Sequence, residues 1–123
     1  MRGHEDLKVW QKAVDLVISI YHITRSFPKS ELYGLTNQLR RAGVSDASNI
    51  AEGHALKQTQ AYLRHLAIAS GSLAEVETQL EIARRLGYLK PESHGVIQQS
   101  QEVGRMLIGL RRSLGASYLN PKS

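Results

Sequence analysis

The segment from Leu35 to Gly53, LTNQLRRAGVSDASNIAEG, constrains the fold more than any other part of the chain. It carries two rows of side chains at helical spacing, one apolar and one polar, about a quarter-turn apart round the same helix. The apolar stripe is Leu35, Leu39, Ala42 and Ile50, and the polar row is Gln38, Arg41, Ser45, Asn49 and Glu52. A buried polar group without a partner costs about 1–3 kcal/mol, so this mixture suits a satisfied hydrogen-bond network at a helix–helix or subunit seam.

The remaining sequence continues the helical rhythm, and no segment alternates with the period of two that a strand requires. Pro28 ends the first predicted helix, which Asp6 is placed to cap, Gly87 caps the third, and Pro91 opens the fourth. The pattern predicts one all-α domain, an antiparallel up-down-up-down four-helix bundle. Its helices are expected at about 7–27, 30–54, 57–87 and 91–114, with a frayed tail at 115–123. The second helix has two possible starts, near Ser30 or at Leu35 after an irregular turn at Tyr33-Gly34.

Composition limits the number of domains and indicates the cellular compartment. With 123 residues and 41% hydrophobic content, the chain is long enough for one packed core. It has no cysteine, which excludes disulfides and thiolate metal sites and fits a reducing cytoplasm. No apolar run approaches the roughly 18 residues that span a bilayer, and no signal peptide is visible. We expect a cytoplasmic protein without a membrane partner.

Motifs for catalysis and metal binding are missing from the sequence. Five histidines are present, but none shows the spacing of HExxH or of two histidines on one helical turn. Paired catalytic carboxylates, a glycine-rich phosphate loop and a nucleophile elbow are also absent from the pattern. We therefore predict a protein that is not an enzyme and has no cofactor or metal.

The charge balance favours a polyanionic partner. Sixteen Lys and Arg oppose eleven Asp and Glu, giving a formal charge of +5 and a sequence pI near 9.7. Arginines that we expect to be exposed are candidates for phosphate contacts, since guanidinium groups pair well with phosphate oxygens. Alternatively, those near helix C-termini only offset the helix dipole. The candidates are Arg40, Arg84, Arg85, Arg111 and Arg112.

The polar row, with Glu75 from the third predicted helix, has two interpretations. It could line a ligand site, or it could form an internal network that fixes how the helices pair. We favour the structural role, which predicts that Arg41→Ala destabilises or disassembles the protein.

The second helix also resembles a known family through Gln38-Leu39-Arg40-Arg41-Ala42, Ser45 and Asn49-Ile50-Ala51-Glu52-Gly53. Further matching segments follow the family's order, and they are Leu7-Lys8-Val9-Trp10-Gln11-Lys12-Ala13, Phe27-Pro28, Glu31, Tyr33-Gly34-Leu35, Gly71-Ser72-Leu73 with Glu75, and Leu86-Gly87-Tyr88-Leu89. The chain resembles the bacterial four-helix-bundle family named for proteins encoded in intervening sequences of large-subunit ribosomal RNA genes. The resemblance implies an antiparallel bundle that assembles into a ring, a homopentamer. The same superfamily includes the accessory protein of diversity-generating retroelements, a basic pentamer that works with a reverse transcriptase and nucleic acid, so that role comes by analogy.

One residue departs from the family pattern. Members usually have an apolar residue directly after the Ser45 position, whereas this chain has Asp46 on its apolar stripe. Burying an unpaired carboxylate is costly, so we expect the stripe to open toward solvent there or the helix to be rotated. A partly exposed aspartate is the favoured interpretation, and a functional carboxylate is the alternative.

Extra apolar residues off the main stripes favour self-association, because a lone bundle would expose several of them. They are Val9, Leu16, Ile18, Ile23 and Val44. Together these features predict a non-enzymatic oligomeric protein whose partners are its own copies and RNA, DNA or a nucleoprotein. A protein scaffold without nucleic-acid binding, and a small-molecule sensor that uses the polar row, are the alternatives.

Overall fold

The computed structural model describes residues 3–119, and its long elements are all α-helices. The helices are α1 (Lys8–Thr24), α2 (Leu35–Ala55), α3 (Thr59–Arg85) and α4 (Gly95–Leu119). Short 3₁₀ turns at Gly3–Asp6, Lys29–Glu31 and Pro91–Ser93 precede α1, α2 and α4. The described range contains no strand, so the predicted all-α class with four helices is confirmed.

The starts of several helices differ from the prediction for local reasons. Pro91, expected to open the fourth helix, opens the 3₁₀ turn Pro91–Ser93 instead, and α4 begins at Gly95. Asp6 does not cap α1, because it belongs to a 3₁₀ turn and Leu7 occupies the capping position without a side-chain bond. Of the two starts predicted for the second helix, Ser30 and Leu35, α2 uses Leu35. Glu31 lies in the preceding turn, and its Oε1 accepts a hydrogen bond from the backbone N–H of Leu35 at 3.1 Å. A carboxylate from outside the helix therefore satisfies one of the free donors at its start.

The C-terminal prediction is wrong for the first five residues of the expected tail. α4 continues to Leu119 instead of ending at residue 114. Gly115 and Ala116 do not break a helix that is already propagating, and the first proline comes only at Pro121. The rest of the predicted frayed segment, residues 120–123, lies outside the described residues.

The two turns that flank α3 use left-handed backbone. Gly87 has φ 77°, and the N–H of Tyr88 donates to the carbonyl of Ala83 at 2.9 Å, the bond that closes a Schellman cap. The predicted glycine cap of α3 is therefore present. Lys57, between α2 and α3, has φ 51°. A residue with a Cβ is strained in that region of backbone space.

One apolar core fills the space between the four helices, and α1 packs on α2 and α4 while α3 packs on the same two helices. The largest fully buried apolar side chains come from all four, and they are Leu16, Ile20, Leu39, Ile50, Leu66, Val76, Leu80, Val103 and Leu107. Side chains at three- and four-residue spacing supply this core, as expected for amphipathic helices.

Two glycines of α2 allow its neighbours to approach closely. A Cβ on Gly43 would lie 3.0 Å from Cδ1 of Ile20 in α1. A Cβ on Gly53 would lie 2.8 Å from Cβ of His65 and 3.0 Å from Cδ1 of Tyr62, both in α3. Since these are below ordinary van der Waals contact, the helix spacing on both sides of α2 depends on the missing side chains.

The expectation of a partly exposed Asp46 is wrong. Its side chain is 0% exposed, and both carboxylate oxygens are buried without a hydrogen-bond partner in the described part of the chain. Burial raises the pKa of this carboxyl from 3.8 to about 7. α2 is not rotated away, because Leu39 and Ile50 of the same stripe are fully buried too. Because the whole apolar stripe packs inward, the Asp46 carboxylate lies in the core.

The extra apolar residues divide between the core and the surface. Val9 and Leu16 are buried, so the expectation that they lie off the core is wrong, and Ile23 is half-buried. Ile18 and Val44 are 53% and 43% exposed. Within residues 3–119, no helix is long and apolar enough to cross a membrane.

Candidate functional site

The middle of the predicted polar row forms a hydrogen-bonded chain between α2 and α3. Ser45 Oγ lies 2.8 Å from Ser72 Oγ. Asn49 Nδ2 donates to the carbonyl oxygen of Ser45 at 2.9 Å and to its Oγ at 3.3 Å. Asn49 Oδ1 lies 2.9 Å from Nδ1 of His65. Ser45 and Asn49 thus link two helices, and the sequence did not predict that they pair with Ser72 and His65.

The directions of these bonds fix the protonation pattern. Because Asn49 uses Nδ2 toward Ser45, its Oδ1 faces His65 and accepts from the N–H at Nδ1. A neutral His65 therefore carries its proton on Nδ1 and keeps Nε2 as a free acceptor. Ser45 Oγ accepts from Asn49, and it shares a hydrogen bond with Ser72 Oγ in which either hydroxyl can donate. Each polar group in this series of hydrogen bonds has a partner, and the series fixes the register of α2 against α3.

The other members of the predicted polar row do not take part in this series of hydrogen bonds. Gln38, Arg41, Glu52 and Glu75 are exposed, and none has a hydrogen bond or ion pair with another described residue. Most of them line a polar groove of about 410 Å³, which we call the α2–α3 groove. Its walls are Asn37, Gln38, Arg41, Ala42 and Ser45 from α2 and Glu75 and Gln79 from α3. Arg41 is therefore available to a ligand or partner rather than used inside the subunit.

Arg84 and Arg85, at the end of α3, are held by a neighbouring carboxylate. Glu81 accepts from Arg84 Nε at 2.9 Å and Nη2 at 2.8 Å, and from Arg85 Nε at 2.8 Å. These hydrogen bonds lower the pKa of the Glu81 carboxyl to about 2, and the bond from Arg84 has the largest effect. One anion thus offsets part of the charge of both arginines. The spacing of three and four residues could have predicted these pairs from the sequence.

The side chain of Arg40 is also bonded to other residues of the same subunit. Its Nε donates to Oγ1 of Thr24 at 2.9 Å, and its guanidinium carbon lies 4.5 Å from the ring centroid of Tyr21. The half-buried side chain therefore fastens α2 to α1 through a hydrogen bond and a cation–π contact. Its predicted availability to phosphate is reduced accordingly.

Arg111 and Arg112 lie on the outer side of α4, far from the arginines at the end of α3. Arg111 Nη1 donates to Oγ of Ser70 in α3 at 3.2 Å, while Arg112 is exposed. Both line a shallow groove of about 370 Å³ with Leu63 and Ile108. Unlike Arg84 and Arg85, which are exposed but bonded to Glu81, this pair has no carboxylate bonded to it in the described part of the chain.

Arg105 joins these two residues, although the sequence analysis did not select it. It is exposed and lies seven residues before Arg112, so both lie on one side of α4. We call Arg105, Arg111 and Arg112, with the 48% exposed Ile108 between them, the α4 arginine face. The signal that could have found Arg105 is this seven-residue spacing within a stretch that lacks acidic residues.

Carboxylates are few around the α4 arginine face. Glu102, one turn before Arg105 in α4, lies 3.6 Å from Nζ of Lys12 in α1. Residues 103–116 of α4 and 59–74 of α3 hold four arginines, including Arg64, and no Asp or Glu. These segments contact each other through the bond of Arg111 to Ser70, and Gly104 lies against Leu73. The acidic residues of α3 come later, at Glu75, Glu77 and Glu81. The +5 charge is therefore unevenly distributed along this helix pair.

No three His, Asp or Glu side chains between residues 3 and 119 are grouped so that they could hold an ion. The half-buried His65 uses Nδ1 toward Asn49, and His54 packs edge-on against Tyr62 with ring centroids 5.7 Å apart.

Comparisons with known proteins agree with this fold. The crystal structure of a protein of unknown function from the S23 ribosomal protein family of Bacteroides thetaiotaomicron VPI-5482 is similar, with a TM-score of 0.77 and 23% sequence identity. The match covers 84% of this chain and 97% of that chain, and at this identity it shows the fold alone. No curated protein matches the chain. Residues 5–109 match the family described as 23S rRNA-intervening sequence protein. Because that match spans most of the sequence, the chain belongs to the 23S rRNA-intervening sequence protein family.

Proposed function

We propose that this protein is a non-enzymatic, homo-oligomeric accessory factor that binds RNA, DNA or a nucleoprotein in the cytoplasm. The observation that carries the proposal is the α4 arginine face. Arg105 and Arg112 are exposed there, Arg111 is half-buried, and residues 103–116 of α4 and 59–74 of α3 hold no carboxylate. Nucleic-acid binding draws most of its affinity from such phosphate contacts. The cysteine-free composition favours the reducing cytoplasm.

The four helices of this factor run alternately up and down in our proposal. Cross-helix pairs between α2 and α3 support this direction, since Ser45 pairs with Ser72 while Gly53 lies against Tyr62. Residue numbers thus rise along one helix as they fall along the other. Short connections between consecutive helices, as between Ala55 and Thr59, favour the same arrangement.

Self-assembly into a ring of five copies completes the proposal. The resemblance to the family implies this number, and exposed apolar side chains such as Ile18 and Val44 support self-association. A ring repeats the α4 arginine face around its axis, so that weak phosphate contacts add up through multivalency. Light scattering tests the assembly, because five copies of a 13.7 kDa chain weigh about 68 kDa. A particle with the mass of one chain would refute it.

Nucleic-acid binding is tested by fluorescence anisotropy with labelled single- and double-stranded RNA and DNA across a salt series. We expect binding that weakens as salt rises, with a logarithmic slope of about 0.7–0.9 for each phosphate neutralised. The variant carrying Arg105→Gln, Arg111→Gln and Arg112→Gln should lose most of this slope.

The matched control removes two arginines that Glu81 already holds, through Arg84→Gln and Arg85→Gln. It lowers the positive charge without touching the α4 arginine face, so we expect a smaller change in slope than in the triple variant. Equal loss in both variants would assign binding to net charge alone. No binding at low salt would refute the nucleic-acid proposal and favour a protein scaffold.

A further inference from the structure

The α2–α3 groove carries opposite charges on its two walls that do not pair with each other. Arg41 extends from α2 and Glu75 from α3, and both are exposed. Neither has a hydrogen-bond or ion-pair partner among the described residues, so their charged groups lie further apart than the 4.0 Å of an ion pair. A cation and an anion are therefore both available at one groove.

A buried carboxamide lies in the same groove. Gln79 is only 9% exposed, and its Oε1 is buried without a hydrogen-bond partner in the described range. A half-turn of the terminal torsion exchanges Oε1 and Nε2 with little change in shape, so this amide can present a donor or an acceptor to the groove. Buried amides are rarely left unsatisfied in folded proteins. Gln79 therefore points to a ligand that brings the missing partner.

The size and the wall chemistry limit what this ligand can be. A volume of about 410 Å³ lies within the roughly 300–1,000 Å³ of small-molecule sites. No aromatic side chain lines the groove, so a nucleobase would find no stacking surface, and Glu75 repels a phosphate. A molecule with a carboxylate and an ammonium close together matches both charged walls.

We propose that the α2–α3 groove binds a free zwitterionic α-amino acid with a carboxamide side chain. The guanidinium fork of Arg41 receives the α-carboxylate, and Glu75 receives the α-ammonium. Gln79 follows Glu75 by one helical turn, and Gln38 precedes Arg41 by a similar distance along α2. Amide groups from both walls thus pair with the donor and acceptor of the ligand side chain. This site does not depend on the α4 arginine face.

The test is isothermal titration calorimetry of the full chain with L-glutamine. We expect saturable binding of one ligand per chain. N-acetyl-L-glutamine, which lacks the ammonium, and L-glutaminamide, which lacks the α-carboxylate, should each bind at least about tenfold more weakly. Arg41→Gln and Glu75→Gln should each cost L-glutamine at least about tenfold in affinity. In Glu75→Gln, acetylation of the ligand should cause little further loss, since the partner of the ammonium is already gone.

Matched controls are Arg25→Gln and Glu77→Gln, which remove one exposed charge of each sign outside the groove. Both should bind L-glutamine within about twofold of the parent. Absence of heat up to about 10 mM ligand, beyond the millimolar range, would overturn the proposal. Equal affinity for the blocked analogues would do so as well. A changed particle mass of Arg41→Gln or Glu75→Gln in light scattering would overturn it too, since the groove would then be a contact between copies.

Discussion

Replacement of Asp46 by asparagine should stabilise the protein, and by more at high pH than at low pH. Both carboxylate oxygens are buried without a partner, and burial raises the pKa from 3.8 to about 7. The folded state therefore holds this proton more tightly than the unfolded chain does. Below pH 4 both states are protonated, and the aspartate carries no ionisation penalty.

The penalty grows with pH in a defined window. Between about pH 4 and pH 7 the unfolded chain releases the Asp46 proton while the folded core retains it, so the free energy of unfolding falls. Each pKa unit corresponds to about 1.4 kcal/mol, so the rise from 3.8 to about 7 corresponds to about 4 kcal/mol. Above pH 7 both states are ionised, and the penalty is constant. Asparagine cannot ionise and escapes it.

The assay is urea unfolding followed by circular dichroism at a fixed protein concentration, at pH 5 and pH 8. We expect the stability advantage of Asp46→Asn over the parent to be about 3 kcal/mol larger at pH 8 than at pH 5. Asp15→Asn, at an exposed aspartate of α1, is the matched control and should change stability by less than about 0.5 kcal/mol at either pH. The same advantage at both pH values would refute the reasoning, because it would mean that Asp46 does not titrate differently on unfolding.

Three further substitutions and one control test the contacts of α2 with α3 and the turn that joins them. Gly53→Ala should lower the free energy of unfolding by about 1–3 kcal/mol, because the added Cβ meets His65 at 2.8 Å. Gly71→Ala is its control: nothing lies within 4 Å of the new Cβ, so we expect a gain of about 0.5–1 kcal/mol in chemical denaturation. Lys57→Gly should raise the melting temperature, since it relieves the strain of φ 51° and is worth up to about 1 kcal/mol. Asn49→Ala removes the hydrogen bonds of Asn49 to Ser45 and His65 and should lower the free energy of unfolding in urea by about 1–3 kcal/mol. An unchanged midpoint would show that these hydrogen bonds contribute nothing to stability.

The helices themselves were predictable because their signals are local. Apolar residues at three- and four-residue spacing predict the four rods, and Gly87 ends α3 with the expected left-handed turn. The spacing left two starts open for α2, Ser30 and Leu35, and the structure uses Leu35. There the carboxylate of Glu31, from a 3₁₀ turn, binds the N–H of Leu35. Such a cap depends on the path of the chain before the helix, which spacing alone does not show.

The candidate site was predictable only in part. The polar row was visible in the sequence, but Ser45 and Asn49 bond to α3 while Arg41 stays open, and spacing along α2 could not separate them. The difference lies in the partners. Ser72 and His65 come 27 and 16 residues after their partners in the chain, and neither forms a motif with them.

The sequence by itself determined where amphipathic helices form, the absence of thiol chemistry, and the positive charge of the chain, because composition and local spacing carry these properties. Tertiary structure decided which polar groups are buried. Asp46 lies in the core although its chemistry favours water, because the apolar residues of its helix gain more from packing together than the carboxylate loses. That balance is a sum over the whole helix face, and no single position in the sequence reveals it.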